Sequence, residues 1–493
     1  MTMLFRTRTL PWLSLSACLA AANFVGCGDD DDGTTPEVTA GKSGSGTSND
    51  GTSGKGGSGT AGKGGTGGGA AGAASSNDCD PSKKETKVTA DITGDTTWEC
   101  GTYLLEKIVY VTGDSTLTIK PGVQVLGDTD AAGETTALII TTGSKLHAVG
   151  TKSSPIVFSS SNPEGARSRA DWGGVVLLGK ATINTGTCVD GSGDTCTGGH
   201  FETNVEGLDP TDPRAKFGGT DDSHNCGDIE YTRIEFAGFQ LAPEIELNGL
   251  TVAACGSDTK LSHIQVHRGS DDGIEFFGGT AGLDHIVISD PSDDGLDWDL
   301  GWRGKGQFVV IHQSTSDGDK GIEADNLGPK ENALPRSKPT LFNFTLIGNP
   351  TKVGLLLREG TQGELRNFIV QNFATAVDLA AAQVTLTDEW PGNLSIESSI
   401  FHNDAAIGDA DSTDDDKGFN EDEAVKAGDR KNVFDVDPEL GISITEPNYK
   451  PGNAAVGGKA TPPSGFDTKA TYAGAVDPAG DDWTKGWTTF VTN

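Results

Sequence analysis

The chain has 493 residues, with 71 Asp and Glu against 37 Lys and Arg, a formal net charge of −34 at pH 7. Such a balance repels phosphate and excludes nucleic acid as a partner, while it suits calcium, basic partners or solubility at a crowded surface. With 34% hydrophobic residues and 70 Gly the chain is turn-rich, yet 78–493 is long enough to bury a large core.

The N-terminus reads as a processing signal over 1–26. Arg6 and Arg8 supply its positive start, and Trp12 to Val25 is a short, mostly apolar run that is too broken to span a bilayer. The run ends in Phe24-Val25-Gly26-Cys27, which resembles the lipobox of bacterial lipoproteins, with Phe24 where leucine is usual. The resemblance implies a covalent lipid on Cys27 as the sole membrane anchor, and a place in the cell envelope as an outer-membrane, surface-exposed lipoprotein. Four acidic residues follow, Asp29 to Asp32, resembling the surface-export signals of some lipoproteins. From 33 to 77 nearly every residue is Gly, Ser, Thr, Ala or Lys. Too few apolar groups are present to offset the entropy of ordering, so 27–77 is expected to be a disordered tether, with a reach of roughly 35–40 Å. Gly57 to Gly64 nearly spells a phosphate-binding loop but lacks the final Ser/Thr, the preceding strand and the following helix.

Beyond Cys18 and Cys27 six cysteines remain: Cys79, Cys100, Cys188, Cys196, Cys226 and Cys255. An even number in an exported protein reads as three disulfides. Sequence order suggests Cys79–Cys100, Cys188–Cys196 and Cys226–Cys255, although the connectivity stays open.

An internal repeat sets the fold. One strand-like phrase recurs around Ile264, Ile286, Val309, Phe344 and Phe368, at spacings of 22, 23, 35 and 24 residues. A second phrase alternates with it: Gly273-Ile-Glu-Phe, Gly295-Leu-Asp-Trp, Gly321-Ile-Glu-Ala, Gly354-Leu-Leu-Leu and Ala376-Val-Asp-Leu. Two short strands per period of 22 to 24 residues, broken by Gly and Asp turns, predict an all-β, single-stranded parallel β-helix over 78–493 with an irregular C-terminal cap. Its hand is expected to be right, as parallel crossovers are. A β-sandwich competes, but Asn-Gly hairpin signals are scarce. The phrases Asp171-Trp-Gly-Gly174, Arg233-Ile-Glu-Phe-Ala-Gly238, Asp271-Asp-Gly-Ile-Glu-Phe-Phe-Gly-Gly279 and Asp299-Leu-Gly-Trp-Arg-Gly304 resemble uncharacterised pectate-lyase-like β-helix surface lipoproteins of Gram-negative bacteria. That resemblance implies a pectin-lyase-like solenoid and an envelope location. It brings no established reaction.

Strand alternation points Ile274 and Phe276 inward and Glu275 outward. Stacking the second phrases then yields an outward column of Glu246, Glu275, Asp297 and Glu323, interrupted by Leu356. Two residues along, a second column reads Asn248, Phe277, Asp299, Asp325 and Arg358. Adjacent coils lie about 4.8 Å apart, so Glu275, Asp297, Asp299, Glu323 and Asp325 are expected to crowd into one patch. Compensation must come from a cation, a basic neighbour or raised pKa values, and Ca²⁺, which takes hard oxygen ligands, suits such a set. Arg303, Lys305 and Arg358 are the candidate basic neighbours, and Phe277 and Trp302 the candidate platforms for a sugar ring. The opposing interpretation leaves these acids on a solvated face, screened by salt. The Asp-Asp-Gly turns at 271–273 and 293–295 are what turns between strands require, with Asp272 and Asp294 the turn residues expected to reach the cluster. His263 and His285 fall in one column, where ring stacking outweighs metal binding.

Three function classes follow. The first is a monomeric surface protein that binds carbohydrate or another surface ligand for adhesion, its acid patch braced by Ca²⁺. The alternative is a polysaccharide lyase or glycoside hydrolase acting on extracellular polysaccharide; neighbouring coils and i, i+2 positions offer Cα spacings for both glycosidase geometries, so spacing does not choose between them. The third is a passive spacer that takes no ligand.

Overall fold

The computed structural model describes residues 79–493 apart from 130–134, 194–195, 198, 243–244, 409–415, 435 and 453–457. The signal, Cys27 and the tether lie outside the described residues.

Short runs of β-branched and aliphatic residues, each ended by a tight turn, wind the chain into a parallel β-helix whose coils present three faces. Inward residues stack coil upon coil. On the first face Leu283, Gly306, Leu341, Leu365 and Ile396 follow one another. On the second, Thr232, Ile264, Ile286, Val309 and Phe344 do so. On the third the column is Leu250, Ile274, Leu296, Ile322, Leu355 and Val377. The last two columns contain the stacking expected from the repeat, residue for residue.

The expectation of two strands per coil is corrected to three. The phrase at Lys260–His267 is continuous by pattern but turns a corner at His263, whose φ is +51°. Tyr231, His285, Phe308, Asn343, Asn367 and Ser398 hold the same left-handed conformation at the same corner of their coils. One such residue is enough to redirect a strand, and it need not be Gly when its side chain gains partners. Here the rings do so: Tyr231, His263, His285 and Phe308 form a ladder with centroids 4.4, 4.5 and 4.6 Å apart. The expected stacking of His263 on His285 is thus observed.

Glycine is required where the turn before the third face meets the next coil. A Cβ on Gly273 would lie 2.3 Å from Ile288 Cγ2, and one on Gly295 2.3 Å from Ile311 Cγ2. All three disulfides form in the suggested order, Cys79–Cys100, Cys188–Cys196 and Cys226–Cys255. The last ties successive coils.

The irregular C-terminal segment runs back along the corner between the first and second faces. Buried amides on the coils hold its backbone. Gln265 accepts from Thr489 N at 2.8 Å and donates to Thr489 O at 2.6 Å. Gln307 accepts from Asp467 N at 2.8 Å, and Asn343 donates to Tyr472 O at 2.6 Å. Asn367 both accepts from Ala460 N at 3.0 Å and donates to Ala460 O at 2.8 Å. Among the described residues no helix is long and apolar enough to cross a membrane.

Candidate cation site

The third face carries the acids. Ile274–Phe277 pairs with Leu296–Asp299, and that strand pairs with Ile322–Ala324, so Glu275, Asp297 and Glu323 are direct neighbours across the ladder. Asp299 ends its strand two residues after Asp297, and Asp325 follows just past the end of Ile322–Ala324. The columns differ from expectation at one end. Thr251, not Glu246, precedes Glu275, and Ala253, not Asn248, precedes Phe277. Glu246 comes instead from the antiparallel hairpin of Phe239–Ala242 and Ile245–Leu247, and Asn248 donates its side-chain amide to Glu275 Oε2.

The patch is a cavity rather than an open face. Glu206, Glu246, Asp271, Asp272, Glu275, Asp293, Asp294, Asp297, Glu323 and Arg358 enclose about 300 Å³. Glu275, Asp272 and Asp294 are 7%, 7% and 2% exposed, so the solvated-face interpretation does not hold for them. Two ionised carboxylates one coil apart repel by about 3 kcal/mol at an effective dielectric near 20. A hydrogen bond contributes only about 1 kcal/mol. Repeated over several rungs, the repulsion outweighs such bonds, and the group must hold protons or a cation.

Basic side chains neutralise only one end. Arg358 Nε donates to Asp325 at 3.0 Å and its guanidinium also pairs with Glu323, while Lys320 Nζ lies 3.1 Å from Glu323. Burial works against ionising Glu323, yet the hydrogen bond from Asp294 and the Arg358 and Lys320 charges hold its carboxyl below the usual range. Asp325 is pushed up to about 7 by burial, with Arg358 opposing. Among the described residues no basic side chain pairs with Asp272, Glu275 or Asp297, and Lys320 only partly offsets the charge around Asp294. Burial and the neighbouring carboxylates raise Asp272, Glu275, Asp294, Asp297 and Asp299 well above the carboxylate range. Asp271 rises to about 10 by burial and the Asp272 charge.

One carboxylate oxygen from each of Asp272, Glu275 and Asp297 lies within 4.8 Å of the other two. Three oxygens at mutual separations up to about 4.5 Å can share one Ca²⁺ at 2.3–2.6 Å, and the 4.8 Å bound admits that arrangement. Asp297 Oδ1 is buried and has no hydrogen-bond partner. The donor set is all hard oxygen, which fits Ca²⁺ rather than Zn²⁺.

Of the five acids expected to cluster, Glu275, Asp297 and Glu323 line the cavity. Asp299 and Asp325 flank it, the latter engaged by Arg358. Asp272 and Asp294 join from their turns, the two turn residues expected to reach the cluster. Glu206 and Lys320 were not anticipated: Glu206 arrives from outside the repeat, while Lys320 sits just before Gly321 in a phrase that aligns with the others.

Four of the expected ligand-binding residues lie elsewhere. Arg303 is bound to Asp222 at 3.1 Å, and Lys305 stands on the first face beside Phe466. Trp302 is fully buried, stacked on Phe276 at 4.4 Å, with its Nε1 donating to Ala281 O at 2.9 Å. Phe277 is 8% exposed and packs on Phe217. Neither ring has a face free for sugar: Trp302 lies in the main core with Phe276, and Phe277 packs into a second apolar layer outside the third face. Arg358 alone of the five meets the acids.

The family model described as Pectate-lyase like beta helix domain matches residues 90–488. No curated protein and no solved structure matches the chain. The parallel coils, the register of their inward columns and the span of this match agree, and the chain belongs to the pectate-lyase-like β-helix family.

Proposed function

We propose that this protein is a cell-surface lipoprotein whose β-helix binds carbohydrate or another surface ligand, with Ca²⁺ held by Asp272, Glu275 and Asp297. A pectate-lyase-like β-helix fits carbohydrate-binding or polysaccharide-active roles. The observation that carries the cation is the buried Asp297 Oδ1, which has no hydrogen-bond partner and lies close to carboxylate oxygens of Asp272 and Glu275. Lipidation of Cys27 would tether the domain to the outer membrane through the 27–77 segment, as a monomer at the surface. A second reading, polysaccharide cleavage, is favoured by Arg358 beside Asp325 and Glu323, since a guanidinium next to carboxylates can stabilise the negative charge that develops when a carboxylate abstracts a proton.

Thermal unfolding tests the cation. A ligand that binds only the folded state adds roughly 2.7 kcal/mol at a hundredfold excess over Kd. Chelation should lower the Tm of the wild type by several degrees, and Asp297→Asn should remove most of that response. Identical wild-type curves with and without chelator would leave the cluster as protonated carboxyls and withdraw Ca²⁺.

A further inference from the structure

A second cavity shares no lining residue with the acid cluster. It lies on the first face, where three successive coils meet the returning C-terminal segment, and encloses about 870 Å³, within the range of ligand pockets. Its floor comes from 257–262, 282–285 and 305–308, and its wall from 465–467, Tyr472 and 477–483.

Both sides are preformed. The floor is core strand. The wall is pinned by Gln307, which bonds both Asp467 N at 2.8 Å and Asp467 O at 3.3 Å, and by Trp483 Nε1, which donates to Ala475 O at 2.9 Å. A ligand therefore meets a rigid site, and little ordering opposes binding.

The lining has a particular chemistry. Phe466, Tyr472 and Trp483 each keep part of the side chain exposed. Trp483 stands edge-on to His285 at 4.9 Å, and Phe466 tilts against Phe342 at 5.3 Å, so each ring is braced from one side. Between the rings stand compact polar groups. Asp284 Oδ1 is 2.9 Å from His285 Nδ1 and its Oδ2 3.4 Å from Ser262 Oγ, and Lys305 Nζ lies 5.7 Å from the Phe466 ring centre. Braced aromatic faces that take C–H surface, interleaved with carboxylate and ammonium groups that bond hydroxyls, match a saccharide. Asp284, Asp467, Asp477 and Asp481 outnumber Lys260 and Lys305. On a chain of net charge −34, that excess disfavours polyuronates.

The geometry points to this groove as the glycan-binding site of the protein, taking a neutral or amino-sugar oligosaccharide laid across three coils between Lys305, Tyr472 and Trp483. The assignment rests on the carbohydrate-binding reading above and is separate from the cation site.

Equilibrium binding of the folded mature chain tests it, using a neutral hexose polymer, a partly deacetylated amino-sugar oligomer and polygalacturonate as probes, all with Ca²⁺ present. One of the first two should bind, and polygalacturonate should not compete. Trp483→Ala should weaken binding about tenfold, as expected for loss of one stacking platform. Because Trp483 also packs against His285, Lys305→Ala serves as a second variant: it is exposed, should leave the Tm unchanged, and should weaken binding several-fold. Wild-type binding undiminished by both variants would overturn the groove and leave carbohydrate binding standing. Preference for polygalacturonate would overturn the ligand class. No binding to any probe would overturn the groove and the carbohydrate reading together.

Discussion

Trp302 shows how one side chain is placed by more than its strand. Its neighbour Trp298 lies on a strand and alternation sends it inward, but Trp302 lies in the following turn, where alternation is silent. The turn delivers it back over Phe276, and its indole N–H finds Ala281 O, so a polar atom that would otherwise be costly to bury is satisfied. Trp302→Ala should therefore destabilise the domain by about 3–5 kcal/mol through the cavity it leaves, read as a lower urea midpoint. Glycan affinity of the folded variant should be unchanged. Arg358 illustrates the opposite case. Its column position was legible from the repeat, and the structure adds that it is shared between Asp325 and Glu323, which leaves Asp272, Glu275 and Asp297 without a basic partner.

At the scale of the element, the C-terminal segment depends on two buried histidines. His267 Nε2 lies 2.8 Å from Val491 O and its Nδ1 2.9 Å from Ser289 Oγ. His312 repeats the arrangement, with Nε2 3.3 Å from Ile442 O and Nδ1 3.2 Å from the Tyr449 hydroxyl. In each, a carbonyl can only accept, so Nε2 donates and neutral Nδ1 accepts from the hydroxyl. Burial lowers both from the usual 6.5 to about 4. A pKa depressed on folding contributes stability that is present above the unfolded value and lost as pH falls through the folded one. The segment should therefore loosen between about pH 6.5 and pH 4, by up to about 3 kcal/mol per histidine. Amide exchange of 442–491 measured down that range should accelerate before that of the second-face strands. Exchange that rises uniformly across the domain would refute a local effect. The involvement of Gln265, Gln307, Asn343 and Asn367 was not legible, because a buried amide near a corner has no period of its own.

For the whole molecule, the −34 charge and the solenoid act at different ranges. The coils bury their inward apolar side chains in one continuous core that runs the length of the solenoid, with a second apolar layer outside the third face, and each coil packs mainly on its neighbours. If Cys27 carries the lipid, the domain folds independently of its anchor. Cys27→Ser should then move the protein from the membrane fraction to the soluble one with an unchanged Tm, and a variant that stays membrane-bound would remove the lipobox reading.

The sequence by itself determined the parallel coil and the inward columns, while it only suggested the pairing of cysteines that the structure then settled. The coil and its columns depend on local periodicity: each coil repeats the same apolar positions, and register follows once one face must be buried. It also determined that Glu275, Asp297 and Glu323 share a column. Even the hidden corner left a trace, since Leu261 and Ile264 both point inward although three apart, one step out of alternation. Tertiary structure alone decided the rest. Whether the acids faced water or a cavity depended on Glu206 and the hairpin bearing Glu246, which arrive from outside the repeat. Whether Phe277 was a platform or a packing residue depended on a second apolar layer contributed by Phe217. The first-face groove exists only because a nonrepeating segment returns along coils more than a hundred residues earlier. Periodicity reports neighbours one coil apart, and contacts brought by irregular chain carry no such signal.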